Sequence, residues 1–373
     1  MRFDKVKGEE PLTCIHGRLF PLRCIPASGI PEGGTFMTTT LPQLGQFKKE
    51  LIVFLVLTFG ATYLLELTGI AINGPGILAN RIMNVPMYIP AVSAIICMVY
   101  FKSAALTREV KIFLGFFLFA SAVSLVESVY QPLLGTLGPL PLLTVVVSVL
   151  AFVVLVIQNL NKPWRENLVP ARLSFGRNYQ YYLILSVIFA ALFILGLLIS
   201  YYTGLGVPAQ GFNPTLFLTF FGLYLVTFFV AWPKFLGEEY GWRFYLQDRM
   251  FALFGGYKGV VLVGLLWGLW HFPLMLMGLN FPDNLIAGNI VYLVWTVVIG
   301  IIYSYAVLKT GSIWIAVLLH AITDCIVNIG YPYIANGQVI VAFLPALLLL
   351  GILAAILLKS RLWVESPATT GSL

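Results

Sequence analysis

Apolar runs of about 20 residues recur along the chain, and no other feature limits its fold as severely. A run of that length crosses roughly 30 Å of hydrocarbon as an α-helix. Ten can be read, near 51–72, 85–101, 112–130, 140–160, 180–202, 215–236, 259–279, 286–307, 313–333 and 338–358. Lipid offers no partner to backbone N–H and C=O groups, so each run must bond to itself, and a helix does so. The second run is short, and the break at Lys309–Gly311 is narrow. The expected fold is therefore all-α: a polytopic membrane bundle of about nine to ten transmembrane helices.

Composition enters as a check on that reading. Only 10% of the 373 residues are charged and 60% are hydrophobic, whereas soluble domains carry about 25% charged residues. A soluble enzyme is excluded. The net charge of +7 does not mark a nucleic-acid partner either. Every Lys and Arg except Arg81 falls in alternate connections, on one side of the expected bundle. That asymmetry is the positive-inside signal, and it places both termini in the cytoplasm of an integral membrane protein. The expected setting is the plasma membrane of a prokaryote, with the lipid bilayer as first partner.

Residues 1–48 are polar and rich in Pro and Gly, and read as a disordered cytoplasmic tail with no signal-peptide core. Residues 49–205 read as N-terminal transmembrane helices, 206–335 as a second helix bundle, and 336–373 as a last transmembrane helix with a short cytoplasmic tail. Cys14, Cys24, Cys97 and Cys325 show no paired spacing, and a reducing cytoplasm disfavours disulfides.

Charge is rare enough that its placement carries information. Between Arg177 and Lys234 there is no Asp, Glu, Lys or Arg, yet FLGEEYGWRFYLQ follows at once. On a helix Glu239 and Arg243 share a face and can pair, acid first, while Glu238 points about 100° away and stays free for other work. Trp267 and His271 likewise share a face, beside Pro273. His320, Asp324 and Asn328 form a polar stripe at i, i+4 and i+8, in which Asp324 can orient the imidazole. Ionisable groups inside a membrane are costly and point to function. The plain alternatives are solvated charges at a helix end, a packed histidine and an interhelical polar contact. Glu66 and Glu127 read as isolated interior groups with no catalytic partner in reach.

The segments EEYGWR (238–243), WGLWH (267–271) and HAITD (320–324) follow one another in successive runs. They match EExxxR, FxxxH with Trp for Phe, and HxxxN/D. In order and spacing the chain resembles the CPBP family of intramembrane proteases, also called type II CAAX proteases, Ras-converting-enzyme-like or Abi proteins. The GGYKG turn and the KTGSIW segment resemble it too. The resemblance covers about residues 215–333 and makes 206–335 the catalytic bundle. It implies an intramembrane endopeptidase acting on a membrane-associated peptide or protein, with prenylated CAAX proteins, pheromone precursors and bacteriocin-like peptides among the family's substrates. Glu238 and His271 would activate water, and His320 with Asp324 would stabilise the oxyanion. Glu239, Arg243, Trp267 and Asn328 would support them. Two departures matter: Trp267 is expected to alter packing beside His271, and an ionised Asp324 cannot donate to an oxyanion, which leaves His320 as donor.

No cofactor is required by this reading. Zinc is the one candidate metal, with Glu238, His271 and His320 as its ligands, although Glu238 cannot easily be both ligand and base. A water-filled cavity opening inward is expected around these groups. Two competing functions remain: a proton-coupled transporter using the same groups as a relay, and a non-catalytic scaffold or bacteriocin self-immunity protein. The first needs a polar path across both leaflets, for which Glu66 and Glu127 are nearly the whole supply.

Overall fold

A computed structural model of the chain describes residues 12–16, 23–26, 37–73, 85–134, 140–206, 213–276, 281, 284–330 and 339–365. Arg81 and the C-terminal tail from Ser366 lie outside the described residues.

The tail read as disordered contains three strands. Leu12–His16 (β1) pairs antiparallel with Arg23–Pro26 (β2) on one edge and Met37–Thr40 (β3) on the other. Runs such as LTCIH and MTTT carry the β-branched residues that favour a pleated surface. The register sets Cys14 opposite Cys24, a pairing invisible in their linear spacing.

Helix begins at Leu41, well before the apolar run. Leu41–Asn73 (α1), Ile89–Tyr100 (α2), Arg108–Leu134 (α3) and Leu140–Leu160 (α4) form the first part of the bundle. The polar loop that follows starts with Lys162–Leu168 (α5), whose N-cap Asn161 accepts from the backbone N–H of Trp164. Gln180–Tyr202 (α6) and Pro214–Glu239 (α7) come next. Asn213 caps α7 by accepting from the N–H groups of Thr215 and Leu216, with Pro214 pre-set for the first turn.

The helix carrying the glutamates does not stop there. A π-helical stretch, Tyr240–Leu246, continues into Gln247–Phe254 (α8). This long element bends by 59° between Tyr224 and Val226, not at Pro233. Gly255, at φ +77°, reverses the chain into Gly256–Trp270 (α9), and Phe272–Leu276 (α10) follows His271. Leu285–Thr310 (α11) ends at Gly311, φ +71°, in a left-handed cap that a side chain would strain. Trp314–Cys325 (α12), a second π stretch Ile326–Gly330, Val339–Leu357 (α13) and Leu362–Glu365 (α14) complete the chain.

Each of the ten apolar runs is helical over most of its described residues, so the membrane part of the chain is an all-α bundle. Fewer of them cross on their own than expected. Among the described residues six helices are long and apolar enough to span, or seven with the bent pair at Tyr224–Val226 counted as one span. Pro86–Tyr100, Gly256–Trp270 and Trp314–Asn328 are shorter apolar helices. Trp314–Asn328 carries His320, and His271 follows directly on Gly256–Trp270.

Candidate active site

The two reverse turns at Gly255 and Gly311 determine which residues meet. In an antiparallel helix pair, residues equally far before and after the turn lie side by side. Arg243 stands twelve residues before Gly255 and Trp267 twelve after it, and the guanidinium carbon sits 3.9 Å above the Trp267 ring. Tyr303 and Leu319 stand eight residues either side of Gly311, and the Tyr303 hydroxyl donates to the Leu319 carbonyl at 3.2 Å. Trp267 and Tyr303 pack with tilted rings, and His320 meets Trp267 edge-on and Tyr303 at a tilt, which ties both hairpins together.

The acidic pair divides as the helical period requires. Glu239 is fully buried; its Oε1 accepts from His320 Nδ1 at 2.8 Å, and its Oε2 lies 3.3 Å from Arg243 Nη1. Glu238, one residue earlier, faces another way and is only 2% exposed. Its Oε2 accepts from the Trp267 indole N–H at 2.7 Å. Trp267 therefore does more than pack beside His271; it anchors the carboxylate. Nor does Glu238 lie at a helix end, as the apolar run alone implied. The element runs sixteen residues further to Phe254, which sets Glu238 about 24 Å from its end. His271, sixteen residues beyond Gly255, comes to a similar level.

His271 sits at a break, not inside a helix. Pro273 lacks the N–H that would continue α9, and the last turn tightens, with His271 N–H donating to the Gly268 carbonyl. The Trp267 carbonyl is thereby freed, and His271 Nδ1 lies 2.9 Å from it. A carbonyl only accepts, so Nδ1 carries the proton and Nε2 keeps its lone pair. The Leu269 carbonyl, which Pro273 cannot serve, accepts instead from the Tyr63 hydroxyl at 2.6 Å.

His320 is oriented chiefly by Glu239. Asp324 Oδ1 is 3.7 Å from its Nε2, beyond hydrogen-bond reach, although this was the carboxylate expected to do the orienting. Asp324 lies one turn away on the same helix as His320, whereas Glu239 comes from a neighbouring helix. Asn328 leaves the stripe as well. It lies in the π stretch, is exposed, and donates to the Asp324 backbone carbonyl at 2.8 Å. The Asp324 side chain is 26% exposed, so the cluster meets the outside along that edge.

Glu238 lies within electrostatic range of His320 and Asp324, and His271 within range of His320 and Arg243. Yet among the described residues no three of His, Cys, Asp and Glu come close enough to hold a metal ion together. Both nitrogens of His320 face carboxylates, and one nitrogen of His271 is committed to a carbonyl. Glu238, His271 and His320 as arranged do not fit a zinc-ligand set. A cavity of about 100 Å³ lies elsewhere, among Glu50, Cys97, Tyr245 and Arg249.

One residue set aside as isolated belongs here. Glu66, in α1, lies within electrostatic range of Glu238. The signal was present in the sequence, since Thr58, Thr62 and Glu66 repeat at the helical interval of four. Glu127, by contrast, accepts from the Thr144 hydroxyl at 3.4 Å and lies within electrostatic range of Tyr88.

Residues 214–326 match the family model described as type II CAAX prenyl endopeptidase Rce1-like. Over 88 residues the chain is 32% identical to a CAAX prenyl protease 2 of Methanococcus maripaludis. That alignment covers 22% of this chain and 32% of the relative, so the chain matches about a third of the relative's length. The matched segment begins at the Pro214 helix start and ends just past Asp324, enclosing Glu238, Glu239, Arg243, Trp267, His271 and His320. By motif, spacing and this match, residues 214–326 of the chain are similar to the Rce1-like family of type II CAAX prenyl endopeptidases.

Proposed function

We propose that the protein is an intramembrane endopeptidase of the CAAX type, which hydrolyses a peptide bond of a membrane-associated substrate with water activated by Glu238 and His271. The observation that carries the reading is a carboxylate held by one bond only, deep in an apolar bundle, at the level of an imidazole with a free nitrogen. The Trp267 indole occupies Oε2 of Glu238, which leaves Oε1 to accept a proton. His271 presents Nε2 with its lone pair, because Nδ1 is bonded to the Trp267 carbonyl. One water can donate a hydrogen to each and turn its own lone pair to a carbonyl carbon.

As the carbonyl becomes tetrahedral, its oxygen gains charge that must be met by donors. His320 is suited to this, because Glu239 at Nδ1 and Asp324 near Nε2 together favour a ring that donates from both nitrogens. Arg243, shared with Glu239, adds positive potential to the same region. A single such donor in a site closed to water is worth about 3–4 kcal/mol, or roughly 10²–10³ in rate. A carboxylate only accepts, so the part of Asp324 is to favour that ring.

The test is cleavage of a peptide library, including prenylated peptides ending in a CAAX sequence, by protein reconstituted in liposomes. Wild type is expected to cut a subset, Glu238→Gln and His271→Ala to lose cutting, and a chelator to have no effect. Equal cleavage by wild type and Glu238→Gln would overturn the reading.

A further inference from the structure

The hydrolysis described above leaves one proton transfer unassigned. When the C–N bond breaks, the departing nitrogen must receive a proton, either the one Glu238 has taken from water or one from a second acid.

Helix α1 brings a further group to the same place. Its buried stripe is Phe54, Thr58, Thr62 and Glu66, while Ile52, Val56, Leu64 and Leu67 on its other faces are exposed. Two bonds fasten this stripe to the end of α9, beside His271. The Trp270 indole N–H donates to Thr62 Oγ1 at 2.8 Å, and the Tyr63 hydroxyl donates to the Leu269 carbonyl. Trp270 in turn packs edge-on against His271 at 4.6 Å. Glu66 lies one turn beyond Thr62, is 1% exposed, and is close enough to Glu238 for their charges to interact.

Its surroundings differ from those of other buried acids. Glu50 is bonded to Arg249, Glu109 to Asn167, and Glu239 to His320 and Arg243. Neither carboxyl oxygen of Glu66 has a partner among the described residues. A buried acid kept for structure is held by donors or cations; one left bare suits the neutral carboxylic acid, whose O–H is itself a donor.

We propose that Glu66 is the general acid that protonates the leaving nitrogen; the assignment rests on the peptidase reading above. The step balances. Water oxygen bonds to the carbonyl carbon, one of its protons passes to Glu238, and the carbonyl π pair moves onto oxygen. On collapse that pair re-forms C=O, the C–N pair departs on nitrogen, and nitrogen takes the proton of Glu66. The products are a carboxylic acid and an amine. The proton held by Glu238 then passes to Glu66, and both groups are restored.

The test uses full-length protein in liposomes and a prenylated CAAX peptide, made also with a thioester in place of the amide that is cut. A thiolate leaves without a proton, since thiols ionise near pH 8.5. Glu66→Gln is expected to lower kcat on the amide by about 10²–10³-fold with KM unchanged, yet to cleave the thioester within about threefold of wild type. Glu238→Gln is expected to slow both substrates. Equal losses on both for Glu66→Gln, whether from a structural role or from misfolding, would overturn the assignment. So would an unchanged amide rate, while the peptidase reading would stand. A wild type that cleaves neither substrate overturns both.

Discussion

Removing Arg243 tests whether the buried charges of the site hold one another in place. Glu239 faces two nitrogen groups, with Arg243 Nη1 at 3.3 Å and His320 Nδ1 at 2.8 Å. At an effective dielectric near 20, unit charges 3.3 Å apart attract by about 5 kcal/mol. The guanidinium has a second hold, since its carbon lies 3.9 Å above the Trp267 ring; a desolvated contact of that kind contributes about 2 kcal/mol. Against both stands lost hydration, made worse because Nε and Nη2 of Arg243 have no acceptor among the described residues. Truncating one member of such a pair destabilises by about 3–5 kcal/mol, because the other charge is left stranded.

Arg243→Met and Glu239→Gln are each expected in that range. The double substitution strands neither charge, so it should fall short of the sum of the singles by about 2–3 kcal/mol. It should not return to wild type, because the contact with Trp267 is gone in both. Equilibrium unfolding in mixed micelles of mild detergent and SDS, followed by tryptophan fluorescence, measures all four proteins. Additivity within about 0.5 kcal/mol would refute the pairing. A single substitution that lowers stability by less than about 1 kcal/mol would refute the charged, desolvated state on which the arithmetic depends.

Three further outcomes are expected. Trp267→Phe removes the indole N–H that anchors Glu238; losing a bond to a charged acceptor is worth about 1.5–3 kcal/mol, so kcat/KM should fall roughly 10–100-fold without loss of fold. An unchanged rate would show that the bond does not position the carboxylate. Gly264→Ala would set a Cβ 2.6 Å from the Val297 Cα, whereas Gly300→Ala would meet Arg243 Nη2 at a tolerable 3.4 Å. The first should destabilise by about 1–3 kcal/mol and the second by clearly less, in the same SDS titration. Chelators and added zinc should both leave peptide cleavage unaltered, because Glu238, His271 and His320 do not converge as a ligand set; inhibition reversed by zinc would contradict that geometry.

How much of this could be read beforehand follows from which forces act locally. Apolar runs report solvent, so the all-α membrane fold was legible, and the helical period alone separated Glu238 from Glu239. Their partners came only with the turns. Once Gly255 and Gly311 are known to reverse the chain, Arg243 on Trp267 and Tyr303 on Leu319 follow from counting residues. Span lengths were less legible, because a run such as 259–279 continues in sequence through Pro273 while its helix stops at Trp270.

The two π stretches had no visible signal at all. A π turn differs from an α turn by one hydrogen bond per residue shifted to i+5, and no residue type demands it as Gly demands a left-handed cap. The first overlaps a motif, at Tyr240–Leu246 within and behind EEYGWR, and the second begins just past HAITD, at Ile326–Gly330. The second has a visible consequence, since it takes Asn328 out of the stripe that ideal α spacing would have aimed at His320. The charges at the site follow a similar logic. Local spacing made Asp324 the natural partner of His320, but this carboxylate one turn away on the same helix stays at 3.7 Å from the imidazole. Glu239 arrives from another helix and reaches 2.8 Å. Where a buried group must be met head-on, its partner comes from across the bundle, and Glu66 on α1 is the group still waiting for one.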